Sequence, residues 1–81
     1  MRIRMVNDGR VLEGSAEQIL RQMQYIAFGH QEATLDEYVD WLAGQLERQE
    51  SVVLKLEGTT GAERAARLVK AMIEVGLARR V

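Results

Sequence analysis

Cysteine and proline are both missing from this 81-residue chain. Without cysteine there is no disulfide scaffold, no thiolate zinc site, no iron–sulfur cluster and no cysteine nucleophile. Without proline, no residue of that kind marks a linker or a domain boundary. Aromatic residues number four: Tyr25, Phe28, Tyr38 and Trp41. Histidine occurs once, as His30. No apolar run approaches the roughly 18 residues of a membrane span. The opening segment, Met-Arg-Ile-Arg-Met-Val-Asn-Asp-Gly, places charge and turn residues where a secretory signal needs an apolar stretch. The expected location is therefore the cytoplasm, with no membrane partner.

An apolar content of 47% against 28% charged residues is too high for a disordered chain and fits one small globular domain over residues 1–81. A core of this size is marginal, so a homodimer or a bound protein would add useful buried area. The net charge of −1 supplies no global attraction to nucleic acid or to an anionic membrane. Its distribution is uneven. Residues 29–54 hold six acids (Glu32, Asp36, Glu37, Asp40, Glu47, Glu50) against Arg48 alone. Residues 55–81 hold six bases (Lys55, Arg64, Arg67, Lys70, Arg79, Arg80) against three acids. Such asymmetry can orient a partner or a second copy of the chain.

Residues 2–6 alternate polar and apolar, which predicts a strand with Ile3 and Met5 on one face. The following Asn7-Asp8-Gly9-Arg10 carries the Asp-Gly hairpin signal, with Val11-Leu12-Glu13 as the return strand. Three helices are then announced by one motif. Ser15-Ala-Glu-Gln18, Thr34-Leu-Asp-Glu37 and Thr60-Gly-Ala-Glu63 all fit the capping box. In it a hydroxyl accepts from the backbone N–H three residues on, and the Glu or Gln there reaches back. The apolar stripes follow at helical spacing. They are Ala16, Ile19, Leu20, Met23, Ile26 and Ala27 in the first helix, and Leu35, Tyr38, Val39, Leu42 and Leu46 in the second. The third has Ala62, Ala65, Ala66, Val69, Met72, Ile73 and Gly76. Gly29 and Gly76 are placed as left-handed stops. Residues 51–57 read as a further strand, and residues 77–81 as a last short one. With both strands formed, the third helix would be a right-handed β-α-β crossover. The expected fold is α+β: a two-layer β-β-α-α-β-α(-β) arrangement, with a small sheet packed by three helices.

The chemistry-bearing residues mostly have simpler uses. His30 lies in the predicted inter-helix loop, and one histidine near Glu32 makes neither a triad nor a metal ligand set. Asp36 and Asp40 share a helical face, but one turned to water, where nothing raises a carboxylate pKa; the helix dipole also favours acids in that first turn. The turn Glu57-Gly-Thr-Thr-Gly61 could hold an anion on Thr59, Thr60 and Gly61 with Arg64 one turn in. It has no phosphate-loop lysine, however, and capping by Thr60 explains the same residues. Arg64, Arg67, Lys70, Arg79 and Arg80 could form a basic patch, but no aromatic lies among them and the second helix is acidic, so nucleic acid is an unfavoured partner. No serine or threonine stands in a nucleophile motif.

Tyr38 falls on the inner stripe of the second helix and Trp41 one position off it, at the margin between core and surface. Tryptophan at such a margin is most often core, yet it is also the residue most enriched at binding hot spots. The expectation is a non-catalytic protein-interaction or regulatory module without a cofactor or metal. Its working surface would be Tyr38, Asp40, Trp41 and Gln45, or an exposed edge strand, facing another protein or a second copy. The alternative is weak nucleic-acid or anion binding through the turn at residues 58–64 (Thr59, Thr60, Gly61 and Arg64) and the basic third helix.

Overall fold

The computed structural model describes residues 1–26, 32–50 and 60–81. Strands β1 (Arg2–Met5) and β2 (Val11–Glu13) are followed by helices α1 (Ala16–Ile26), α2 (Leu35–Glu50) and α3 (Gly61–Glu74), and then by β3 (Ala78–Arg80). The architecture is α+β, as the periodicities predict: a three-stranded antiparallel sheet of order β2-β1-β3, packed against three helices. The expected strand at residues 51–57, and the crossover geometry that depends on it, fall outside the described residues. So do Ala27, Gly29 and His30.

The hairpin forms at the predicted place but with a wider turn than a two-residue Asp-Gly connection. The Met5 N–H donates to the Arg10 carbonyl at 2.7 Å, and the Gly9 N–H to the Met5 carbonyl at 2.9 Å, leaving Val6 to Gly9 as the loop. The Asp8 carboxylate accepts from the Arg10 N–H at 2.9 Å and pins the turn. Register pairs Ile3 with Leu12. On the other side of β1, Met5 pairs with Ala78 and Arg4 with Arg79. Alternation along the strands puts Ile3, Leu12 and Ala78 under the helices and turns Arg4, Val11 and Arg79 outward.

The predicted caps organise the helix starts. Ser15 Oγ accepts from the Gln18 N–H, and Gln18 Oε1 accepts from the Ser15 N–H. Gly14 makes room for that returning side chain: a Cβ on it would lie 2.5 Å from Gln18 Oε1. Thr34 and Glu37 form the same reciprocal pair at 3.1 Å in both directions. Thr60 Oγ1 accepts from the Glu63 N–H at 3.3 Å. At its far end α3 stops on Gly76 at φ +83°, with the Leu77 N–H bonded to the Met72 carbonyl and the Gly76 N–H to that of Ile73. This is the left-handed stop expected there, and it turns the chain directly into β3.

Helix α1 packs on β2 and on α3, and α3 packs on β3. Helix α2 contacts both helices and no described strand. The shared core is Ile3, Leu12, Ala16, Ile19, Leu20, Val39, Leu46, Ala65, Leu68, Val69, Ala71, Met72 and Ala78. Two stripe assignments are corrected. In α3, Leu68 and Ala71 are buried while Ala62 and Ala66 are exposed. Packing against two helices and a strand rotates the buried face, and hiding a leucine removes more apolar area from water than hiding an alanine. In α1, Ile26 is exposed and Gln24 is buried. The Gln24 amide is satisfied by donating to the Ala33 carbonyl, which ties α1 to the residue preceding the α2 cap. No helix among the described residues is long and apolar enough to cross a membrane.

Leu68 is fully buried, and the truncation Leu68→Ala should cost about 2–5 kcal/mol. Val6→Ala, on the exposed hairpin loop, should change stability by less than about 0.5 kcal/mol. Urea denaturation of both variants checks the contrast.

Candidate functional site

The two groups of candidate residues read from the sequence converge on one surface, where the acidic side of α2 meets the first turn of α3. Asp36 and Asp40, one helical turn apart, both project toward α3. Arg64, in the first turn of α3, donates from Nη1 to Asp36 Oδ1 at 3.4 Å and from Nη2 to Asp40 Oδ1. Its side chain is mostly covered, whereas the two carboxylates are two-thirds exposed. Arg64 Nε is buried with no hydrogen-bond partner among the described residues. The guanidinium thus bridges two carboxylates that the sequence showed only as a solvated pair, and the cluster keeps a net negative charge.

This arrangement bears on the anion-binding candidates. A Cβ on Gly61 would lie 4.0 Å from Asp36 Oδ1, so the positive end of α3 already faces a carboxylate of the same chain. The Thr60 hydroxyl is used as the cap. Arg64 is engaged twice, and an incoming anion would meet Asp36 and Asp40 beside it. Thr59 lies outside the described residues. The wider basic patch is also divided by the fold. Lys70 lies 4.0 Å from Glu74 along α3, and Arg79 and Arg80 belong to β3.

Tyr38 and Trp41 stack, with ring centroids 5.9 Å apart and planes inclined by 27°. Tyr38 is buried at 3% exposure, while Trp41 keeps 39% of its surface in water. The buried ring holds the exposed one against α2, so Trp41 is presented as a supported aromatic face. Asp40 precedes it in sequence and is turned toward Arg64 of α3. Gln45, half-buried one turn on, accepts from the Gln49 side chain at 3.1 Å. Together these residues form an apolar spot with an acidic border. Burial raises the Tyr38 phenol above its ordinary value of 10.0. Glu37 is lowered from its ordinary 4.5 by its hydrogen bonds to the Thr34 backbone and hydroxyl, consistent with the capping geometry.

A second apolar surface was not anticipated. Leu12, Arg21, Gln22, Tyr25 and Ile26 line a shallow groove of about 380 Å³ between β2 and the end of α1. Tyr25 is 80% exposed there. A helical stripe drawn from apolar residues alone assigned Ile26 to the core and passed over Tyr25. Gln24, immediately before Tyr25 in sequence, is the residue that the helix end buries instead.

Comparisons with protein-family models, with curated proteins and with solved structures give no match for this chain.

Replacing Arg64 with methionine keeps an apolar stem but leaves Asp36 and Asp40 facing each other. A loss of about 0.5–1 kcal/mol is expected, the size of a partly exposed ion pair. Urea denaturation should show the difference shrinking at high salt. For Tyr38, the raised pKa means that the folded state favours the neutral phenol. Its contribution is complete below pH 10 and is lost as pH rises through the folded value. Fluorescence of the single tryptophan should therefore fall on alkaline titration as tyrosinate forms beside it, with a midpoint above pH 10. Tyr38→Phe should remove that transition.

Proposed function

We propose that this chain is a small non-catalytic protein-interaction module whose working surface is the outer side of α2, centred on Trp41, supported from beneath by Tyr38 and bordered by Asp40 and Gln45. The observation that carries this reading is the supported, 39% exposed Trp41 stacked on a buried tyrosine within an acidic surface. An aromatic held rigid by a buried neighbour loses little conformational entropy when a partner covers it, and a surrounding polar rim supplies specificity. The acids of α2 add steering toward a basic partner surface.

Two further features favour this reading over anion or nucleic-acid binding. Arg64, the cation that binding at the α3 turn would need, is engaged by Asp36 and Asp40. The polar residues of the candidate site also hold structural positions: Thr60 and Thr34 are caps, and Glu37 completes the Thr34 box. Nucleophile and general-base geometry would require convergent polar groups free of such duties.

Affinity capture with the tagged chain as bait, compared with Trp41→Ala combined with Asp40→Lys, tests the proposal. A specific partner should be retained by the native chain and lost, by at least about tenfold, with the double variant. Unchanged melting of the variant would separate lost binding from lost folding. Retention of every partner by the double variant would refute the assignment of this surface.

A further inference from the structure

The face of the sheet turned away from the helices is basic. Arg4 and Arg79 are direct cross-strand partners, and like charges so placed repel. Neither has a carboxylate within ion-pair distance among the described residues. Arg2 lies on the same face, and Glu13 is the one acid across from it. Val6, Val11 and Val81 are exposed between these arginines. Arg4, Met5, Val6, Gly9, Arg79 and Val81 enclose a shallow depression of about 310 Å³ there. Apolar contacts ringed by positive charge are thus laid out on one side of the molecule.

The complementary pattern occurs on the same chain. Helix α2 carries five acids and one arginine, with the exposed Trp41 among them. It packs on α1 and α3 and touches no described strand, so it lies across the helical layer from the sheet. We propose that the basic outer face of the sheet docks on the acidic α2 face of a second copy, with Trp41 packed against the exposed valines and Arg4 and Arg79 set among the acids. The inference rests on the α2 surface described above and names a partner for it. Nucleic acid fits the sheet face less well, because no aromatic among the described residues lies there to stack on bases and the exposed valines need apolar contacts.

Two consequences follow from the geometry. The docking faces are different surfaces, so contact is head-to-tail and grows beyond a dimer unless the rotation closes a ring. The molecule measures 30 × 27 × 22 Å, and one face of it offers on the order of 600 Å² per copy, the lower end of specific interfaces. Association is therefore weak, concentration-dependent and salt-sensitive.

Analytical ultracentrifugation of the full chain over a concentration series, at low and high ionic strength, tests this. The native chain should form species larger than a dimer at low salt, with a blue shift of Trp41 fluorescence, and weaken at least about tenfold at high salt. Arg4→Glu with Arg79→Glu leaves two acidic faces, and Glu37→Lys with Glu47→Lys removes the net negative charge of α2. Each double variant alone should stay monomeric, and their equimolar mixture should associate. Arg4→Gln with Arg79→Gln, which removes charge without reversing it, should weaken association about tenfold and serves if a reversal variant fails to fold by circular dichroism. A monomeric native chain at low salt would overturn the proposal. So would native-strength association of the arginine variants, or a folded charge-swapped mixture that stays monomeric. A monomeric chain that still captures a different protein through Trp41 would refute this inference and leave the proposed function standing.

Discussion

Burial of one continuous apolar surface between the sheet and α1 and α3 is the constraint on which the other features depend. Ile3, Ile19, Leu20, Leu68 and Met72 are almost completely removed from water. A chain of 81 residues without a cross-link has few other means of offsetting its conformational entropy. The strands are only three or four residues long and would not persist as an isolated sheet. The helices hold them in register, and the left-handed stop at Gly76 feeds β3 back beside β1.

That arrangement also sets the electrostatics. Once α1 and α3 cover the inner side of the sheet, α2 is left to close the helical layer from outside, and its acids meet the start of α3. Arg64 then bridges Asp36 and Asp40. The pair itself contributes little to stability because its carboxylates are exposed. Its effect is to remove a cation from the surface and to fix the edge of the Trp41 patch. Arg4 and Arg79, by contrast, are brought together on the open face of the sheet with no acid within ion-pair distance among the described residues. The α2 surface is acidic and carries the exposed Trp41, and the open face of the sheet is basic with exposed valines.

Local rules were legible in the residues wherever a few neighbours decide the outcome. The hairpin, the capping hydroxyls of Ser15, Thr34 and Thr60, and the stop at Gly76 each depend on groups within five residues of one another. Much of the α2 stripe was legible for the same reason, since helical periodicity is a local property. Tyr38 and Val39 are buried as their spacing requires, and Trp41 sits at the margin.

Tertiary packing decided the rest. It chose Leu68 over Ala66, because a helix held between two others and a sheet buries a broader face than one stripe. It placed Gln24 inside and Ile26 outside, because Gln24 could satisfy the Ala33 carbonyl. It joined Arg64 to carboxylates 24 and 28 residues away, a pairing that charge counts along the chain do not reveal. The absence of cysteine, the single histidine and the capping uses of the hydroxyls follow from composition and short spacings alone. Which charged groups stay exposed and which are paired was settled only when distant segments folded together, because exposure and pairing are properties of neighbours in space.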